Sequence, residues 1–336
     1  MSRNIIKALA ISCVVVLILV LDITVIKPIK ANNKQQDEYL YHFQVIIDSE
    51  MDGIIREDFI NELDEKGKEE KAYVEVIEND SKNEDKEDLI KKGIYAKVDG
   101  IACTMDSKKM GNSMYAKASD KKIPLVDYDI NNYSYDKLIS IGPEEYDIGV
   151  LAAEQICKYT TKKDKILVIR NASTSKNISI GKHMEKGFKE GIKNKKREKS
   201  KVKYVNVKED MFSTEKNIIS ILKENKNYNG IVVLDNNYSS LIGSMVENKK
   251  YSFLEDKKIV AYGVNDENIG YLKENIFKSI ISYDAKDMAD KLIFTLIDSK
   301  LGNKTRNYIT NLSLVTVDKK NNKIKTDVFN TENAQK

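Results

Sequence analysis

The sequence predicts an α/β fold of two Rossmann-like lobes with parallel sheets, preceded by an N-terminal transmembrane helix. Three observations lead there. Short apolar runs of strand length alternate with amphipathic runs of helical period along most of the chain. The βα units are too many for one small sheet, and 336 residues accommodate two lobes. Ahead of them, Ala8 to Ile26 is apolar apart from Ser12, Asp22 and Thr24, close to the roughly 20 residues a membrane helix needs.

Arg3 and Lys7 precede that stretch, and no A-x-A exit site follows it. An uncleaved signal anchor is therefore preferred to a cleaved signal peptide. Ala10-Ile11-Ser12 before Cys13 makes a lipoprotein-like box, which keeps that alternative open, but the apolar stretch runs well past it. Lys27 and Lys30 on the far side leave little flanking charge bias. Residues 27–42 read as a polar linker.

Phe43 to Ile47 is the first strand, followed by a loop at Asp48 to Gly53. Ile54 to Lys66 is a helix with Ile55, Phe59 and Leu63 on one face. Tyr73 to Ile77 is a strand and Lys82 to Ile94 a charged helix. Val98 to Thr104 is a strand with a turn at its mouth, Met110 to Ala118 a helix, and Ile123 to Tyr128 a short buried strand. Pro124 lacks a backbone N–H, which suits the start of a strand. Asp129 follows at the carboxyl end, the edge at which open parallel sheets bind ligands.

The second half repeats the pattern. Helices are expected at Gly149 to Tyr159, Ile180 to Lys193, Thr214 to Asn225, beyond Asn237 to Val246, at Ile269 to Asn275 and at Lys286 to Ser299. Strands are expected at Lys165 to Arg170, Lys203 to Val207, Gly230 to Leu234, Lys258 to Tyr262, Ser279 to Tyr283 and Leu312 to Val317. Residues 321–336 read as a polar tail.

Composition narrows the function. Lys+Arg number 56 against 52 Asp+Glu, giving a net charge of +4 with the signs interspersed. Nucleic-acid binding needs basic clustering on one face, and the basic run at 193–201 has no aromatic interleaved. The three cysteines, Cys13, Cys103 and Cys157, lack metal-site spacing and read as small buried hydrophobes. Histidines are limited to His42 and His183. No G-x-S-x-G elbow, P-loop or G-x-G-x-x-G fingerprint follows a strand. No catalytic set, metal site or cofactor is expected.

The string VDGIACTMDSKKMGNSMYAKASDKKIPLVDYD (98–129), continued by ISIGPEEYDIGVLAA (139–153), resembles the type I periplasmic sugar-binding family, the ribose-, xylose- and galactose-binding group. The resemblance spans roughly residues 43–320. It implies two lobes crossed three times by the chain, near Gly142, Tyr283 and Asn311. The expected lobes are 43–142 with 284–311, and 143–283 with 312–320.

The resemblance also implies ligand positions. Asp129 matches the family's Asp that takes ring hydroxyls; its other reading is a helix or turn cap. Asp48, Ser49 and Met51 fall in the first mouth loop. Lys182 stands where the family has a sugar-binding Arg, which exchanges a bidentate fork for a point charge. Asp235 and Asn237 bracket the family's strand-end Asn. Asn265 replaces an Asp, and Tyr283 stands where the family often has Gln. Phe212 (or Met211) offers an apolar face for ring C–H groups. The family's gripping Arg and Asp are thus both replaced, which leaves the ligand a sugar, a sugar-like polyol or another small signal.

The function so implied is an extracytoplasmic, membrane-anchored solute-binding protein with no nucleic-acid partner. Its lobes close on a ligand, and a membrane partner, a sensor histidine kinase or an ABC permease, reads the closure. Relatives of this architecture act as co-sensors beside histidine kinases, and an uncleaved anchor suits such a fixed complex. A LacI-type regulator shares the core but needs a basic helix-turn-helix where this chain has its apolar run. An enzyme on the same scaffold is the more remote alternative.

Overall fold

The computed structural model describes residues 39–331, except 49–50, 52, 81–84, 129–134, 136, 209–212, 250 and 319. The expected anchor at 8–26 lies outside the described residues. Among those described, no helix is long and apolar enough to cross a membrane.

The first five strands are Tyr41–Asp48 (β1), Ala72–Asn79 (β2), Gly100–Cys103 (β3), Leu125–Tyr128 (β4) and Ile139–Gly142 (β5). Five more follow: Ile166–Asn171 (β6), Val202–Val207 (β7), Gly230–Val233 (β8), Lys258–Tyr262 (β9) and Phe277–Tyr283 (β10). The chain ends with Tyr308–Ile309 (β11) and a hairpin of Leu312–Asp318 (β12) and Lys323–Phe329 (β13). Helices alternate with the strands. In the first half they are Gly53–Glu69 (α1), Lys86–Ala96 (α2) and Lys108–Asp120 (α3). Glu145–Tyr159 (α4), Ser175–Asn194 (α5), Thr214–Glu224 (α6), Asn236–Glu247 (α7), Asp266–Lys273 (α8) and Ala285–Lys300 (α9) follow.

Two sheets result. Sheet A has the order β11-β5-β4-β3-β1-β2, with every pair parallel. Sheet B has the order β13-β12-β10-β9-β8-β6-β7, parallel except at β12 and β13. Strand alternation explains why helices cover both faces. In β1, Phe43, Val45 and Ile47 point to the core shared with Phe59 and Leu63 of α1 and Leu292 and Leu296 of α9. Ile46 points the other way, to Ile90 of α2 and Met114 of α3. Each such fully buried side chain contributes about 1.5–3 kcal/mol. In β6, Ile166 and Val168 face Met184 and Phe188 of α5, while Leu167 and Ile169 face the core holding Ile218 of α6.

Helices α4 and α5 meet backbone to backbone. A Cβ on Gly187 would lie 1.8 Å from the Tyr146 carbonyl oxygen, and one on Gly149 would lie 2.0 Å from that of Met184. Only glycine permits that approach.

The chain passes between the sheets three times: from β5 to α4, from β10 to α9, and from β11 to β12. These crossings are tied side by side. Thr310 N–H donates to Gly142 O at 2.9 Å, and Asp284 N–H to Asn311 O at 2.9 Å. Asn311 N–H donates to Asp287 Oδ2 at 2.8 Å, and Lys291 bridges Asp287 to Ile309 O.

Three strands differ from the sequence expectation, the two-residue β11 among them. Residues 323–329 form β13 where a polar tail was expected, because Ile324 and Val328 alternate with charged residues and give an edge strand one apolar face. Residues 139–142 form β5, a strand of four residues read from sequence only as part of a motif.

Candidate functional site

Topology places the carboxyl edges of the two sheets opposite each other. The crossing after Gly142 leaves the carboxyl end of β5 and enters α4, whose amino terminus lies at the carboxyl edge of sheet B. The crossing after Tyr283 makes the converse connection, from the carboxyl end of β10 to the start of α9. The edges of the two sheets therefore bound a crevice, the location at which open α/β sheets bind ligands.

On the sheet A side, Asp48 ends β1 and is brought to the edge, but its carboxylate is engaged from within. Lys86 Nζ lies 2.9 Å from its Oδ1, Asn79 Nδ2 donates to Oδ1 at 3.1 Å, and the Thr104 hydroxyl donates to Oδ2. Burial alone would raise the Asp48 carboxyl; the Thr104 hydroxyl and Lys86 ammonium outweigh it and hold the group below its usual range. Lys86 also reaches Asp106 Oδ1 at 2.7 Å and Thr104 Oγ1 at 2.9 Å. Its three N–H donors thus each have an acceptor. Burial opposes the charge on Lys86, but Asp106 and Asp48 raise its affinity for the proton above the ordinary value.

On the sheet B side, Asp235 and Asn265 serve as helix N-caps. Asp235 accepts from Tyr238 N–H at 3.0 Å at the start of α7, and its Oδ2 accepts from Asn171 Nδ2 at 3.0 Å. Burial raises its carboxyl above the usual value, and these hydrogen bonds offset only part of that. Asn265 accepts from Asn268 N–H at 2.8 Å at the start of α8. Its amide donates to Asn236 Oδ1 at 3.2 Å and Ser240 Oγ at 3.1 Å. Asn268 completes the cluster by donating to Asn236 Oδ1 and to Gly263 O. Gly263 has a φ of +90°, and a Cβ there would lie 2.3 Å from Asn236 Oδ1. The carboxamide layer therefore packs directly on the backbone turn after β9.

Asn237 is exposed in the first turn of α7, and Lys182 is exposed in the second turn of α5. Neither side chain has a hydrogen-bonding partner among the described residues. Tyr283 is half-buried and lines a cavity of about 510 Å³ with Ile54 and Ile55 of α1, Val264, Ile269 and Asp284. Met51 packs against the core beside α1. Asp129, Ser49 and Phe212 lie outside the described residues. Lys86, Asp106, Asn171, Asn236 and Asn268 were not anticipated from sequence. Lys86 carried a signal: a lysine in the first turn of a helix opposes the helix dipole and needs a reason. Among the described residues, no three His, Cys, Asp or Glu side chains converge as a metal would require.

No curated protein matches the sequence. Several solved structures share the fold. GanP, a glucose-galactose binding protein from Geobacillus stearothermophilus, aligns at 18% identity with a TM-score of 0.66, covering 82% of this chain and 97% of that one. The sugar-binding protein of a sugar ABC transporter from Bacillus halodurans aligns at 16% identity with a TM-score of 0.70, covering 84% and 98%. A mutant XylFII–LytSN complex includes a chain at 18% identity and a TM-score of 0.62, covering 84% and 99%. The family model for the periplasmic binding protein domain matches residues 43–304. With that match spanning most of its length, the chain belongs to the periplasmic binding protein family.

Proposed function

We propose that the protein is an extracytoplasmic receptor for a neutral sugar or polyol, anchored by residues 8–26, that closes its lobes on the ligand and signals to a membrane partner such as a sensor histidine kinase. The observation that carries the reading is the pair of facing carboxyl edges joined by three hydrogen-bonded crossings. Such a junction suits hinge closure. The charges at the edges fit a neutral ligand: Asp48 is neutralised internally by Lys86, and the wall after β8 and β9 is rich in carboxamides. Carboxamides both donate to and accept from hydroxyls. Asp129, after β4, is the acceptor we propose for ring hydroxyls. The sugar-binding neighbours and the XylFII–LytSN complex support the ligand class and the signalling partner.

A second reading, the receptor of an ABC sugar transporter, is favoured by the Bacillus halodurans neighbour. Thermal-shift screening of the full chain against monosaccharides and polyols tests the ligand class, and no stabilisation by any of them would end it. Intact-mass measurement of the native protein tests the anchor: an N-terminus at Cys13 or beyond residue 26 refutes it. Crosslinking in native membranes then separates a kinase from a permease.

A further inference from the structure

A second cavity lies at the end of sheet B opposite the crevice. It has a volume of about 500 Å³ and is bounded by the first residues of β9 and β10, the last residues of α4 and α8, Thr316 and Val317 of β12, and Asn322 just before β13. Lys258, Lys273 and Lys278 line it together with Tyr159, Asn275 and Asn322. No carboxylate lines it, in a chain with 52 Asp and Glu. Elsewhere on the surface lysines pair with acids, as Lys189 does with Glu185 and Lys195 with Glu154. Lys258 and Lys273 have no ion pair or side-chain hydrogen bond among the described residues.

The cavity wall is held in place. Lys278 Nζ donates to Asn275 O and Oδ1, both at 2.7 Å, and Tyr159 OH donates to Lys278 O at 3.0 Å. Asn275 holds the turn in the left-handed region, with φ at 61°. The C-termini of α4 and α8 reach this end of the sheet and each bring about half a negative charge. Three ammonium groups exceed that, so the cavity stays positive. Its floor is apolar, formed by Leu272 and Phe277, and the Asn275 and Asn322 amides stand at its rim.

We propose that this cavity binds a phosphate ester with a small hydroxylated body. Three cations suit a multiply charged oxyanion, the volume exceeds what a bare ion needs, and amides over an apolar floor suit a polyol carbon chain. The inference goes beyond the crevice function and does not depend on it. A soluble monoester carries up to two charges and fits the three lysines best; a phospholipid headgroup shares its phosphate oxygens and hydroxylated body with a single charge, and two probes separate the sources.

The test is titration calorimetry on the full chain in neutral detergent at low salt. The probes are glycerol 3-phosphate, with glycerol as its neutral control, and monomeric dihexanoyl phosphatidylglycerol, with the phosphatidylcholine counterpart as its control. Saturable binding of either phosphate probe is expected, weakening as salt screens the lysines. Lys258→Gln/Lys273→Gln should weaken it by about tenfold or more, because the neutral amides cannot make charge-assisted hydrogen bonds to the phosphate. Lys258→Arg/Lys273→Arg should retain it, and melting curves should show both variants folded. Binding of glycerol 3-phosphate assigns a soluble ester; binding of the lipid probe alone assigns a headgroup. Absence of binding by both probes, equal binding by the neutral controls, or binding unchanged in the Gln variant overturns the proposal.

Discussion

Lys86 Nζ lies 2.9 Å from Asp48 Oδ1, so the carboxylate that ends β1 is answered by a cation from the first turn of α2. Only 7% of the lysine side chain is exposed. Lys86→Met should leave the partly buried Asp48 without its counter-charge and cost about 1–3 kcal/mol, less than a fully buried pair because a third of the Asp48 side chain is exposed. Because the Asp48 carboxyl is held below its usual value near 3.8, its contribution is present above that pH and lost as acid titrates it through the lowered value. Denaturant unfolding of wild type and variant at pH 7 and in acid checks both statements. A loss of under about 0.5 kcal/mol, typical of surface changes, would show that the pair is not structural.

Asp147, in the first turn of α4, is expected to weaken the fold when ionised. Burial, with Glu144 nearby, pushes its carboxyl up to about 6, and its Oδ2 has no hydrogen-bond partner. The folded state then holds a proton that the unfolded chain gives up near 3.8, so stability falls as pH rises between those values. Asp147→Asn should melt higher than wild type at pH 7.5, and the gap should close at pH 4. An equal gap at both values would assign the effect to packing.

Gly187→Ala tests the α4–α5 contact. The added methyl meets the Tyr146 carbonyl, and overpacking of this kind costs about 1–3 kcal/mol. A melting temperature lower by roughly 2–4 °C per kcal/mol is expected. An unchanged value would mean that the helices can part without loss.

Asp235 and Asn237 are two residues apart and should separate stability from affinity. Asp235→Ala removes the α7 cap, at about 1 kcal/mol, and also strips the Asn171 amide of its acceptor. Asn237→Ala should leave stability within about 0.5 kcal/mol. It should weaken binding of the stabilising sugar about 2- to 13-fold, the equivalent of one neutral hydrogen bond. Calorimetry beside a melting curve distinguishes the two, and the reverse pattern would move the ligand contact to Asp235.

The strands of both sheets were legible where they were apolar and bounded by charge: Phe43 to Ile47 became Tyr41–Asp48, and Lys258 to Tyr262 kept its limits. Strand β13 was hidden because Ile324, Val328 and Phe329 are its only apolar residues among Lys, Thr and Asp. The candidate site was less legible, since an Asp or Asn after a strand reads alike as a ligand acceptor or an N-cap. Asp235 and Asn265 each stand three residues before the amide they cap, a local pattern that sequence does contain. The Asp48–Lys86 pair joins positions 38 residues apart, which no local spacing reveals.

The helix α9 packs Leu292 and Leu296 against Phe43 at one face of sheet A, and β11 pairs with β5 at its edge. Both are encoded after every parallel strand of sheet B. During synthesis the amino-terminal lobe therefore waits, one face covered only by α1, until nearly the whole chain has left the ribosome. The lobe translated first is completed only after the parallel strands of the other have been made.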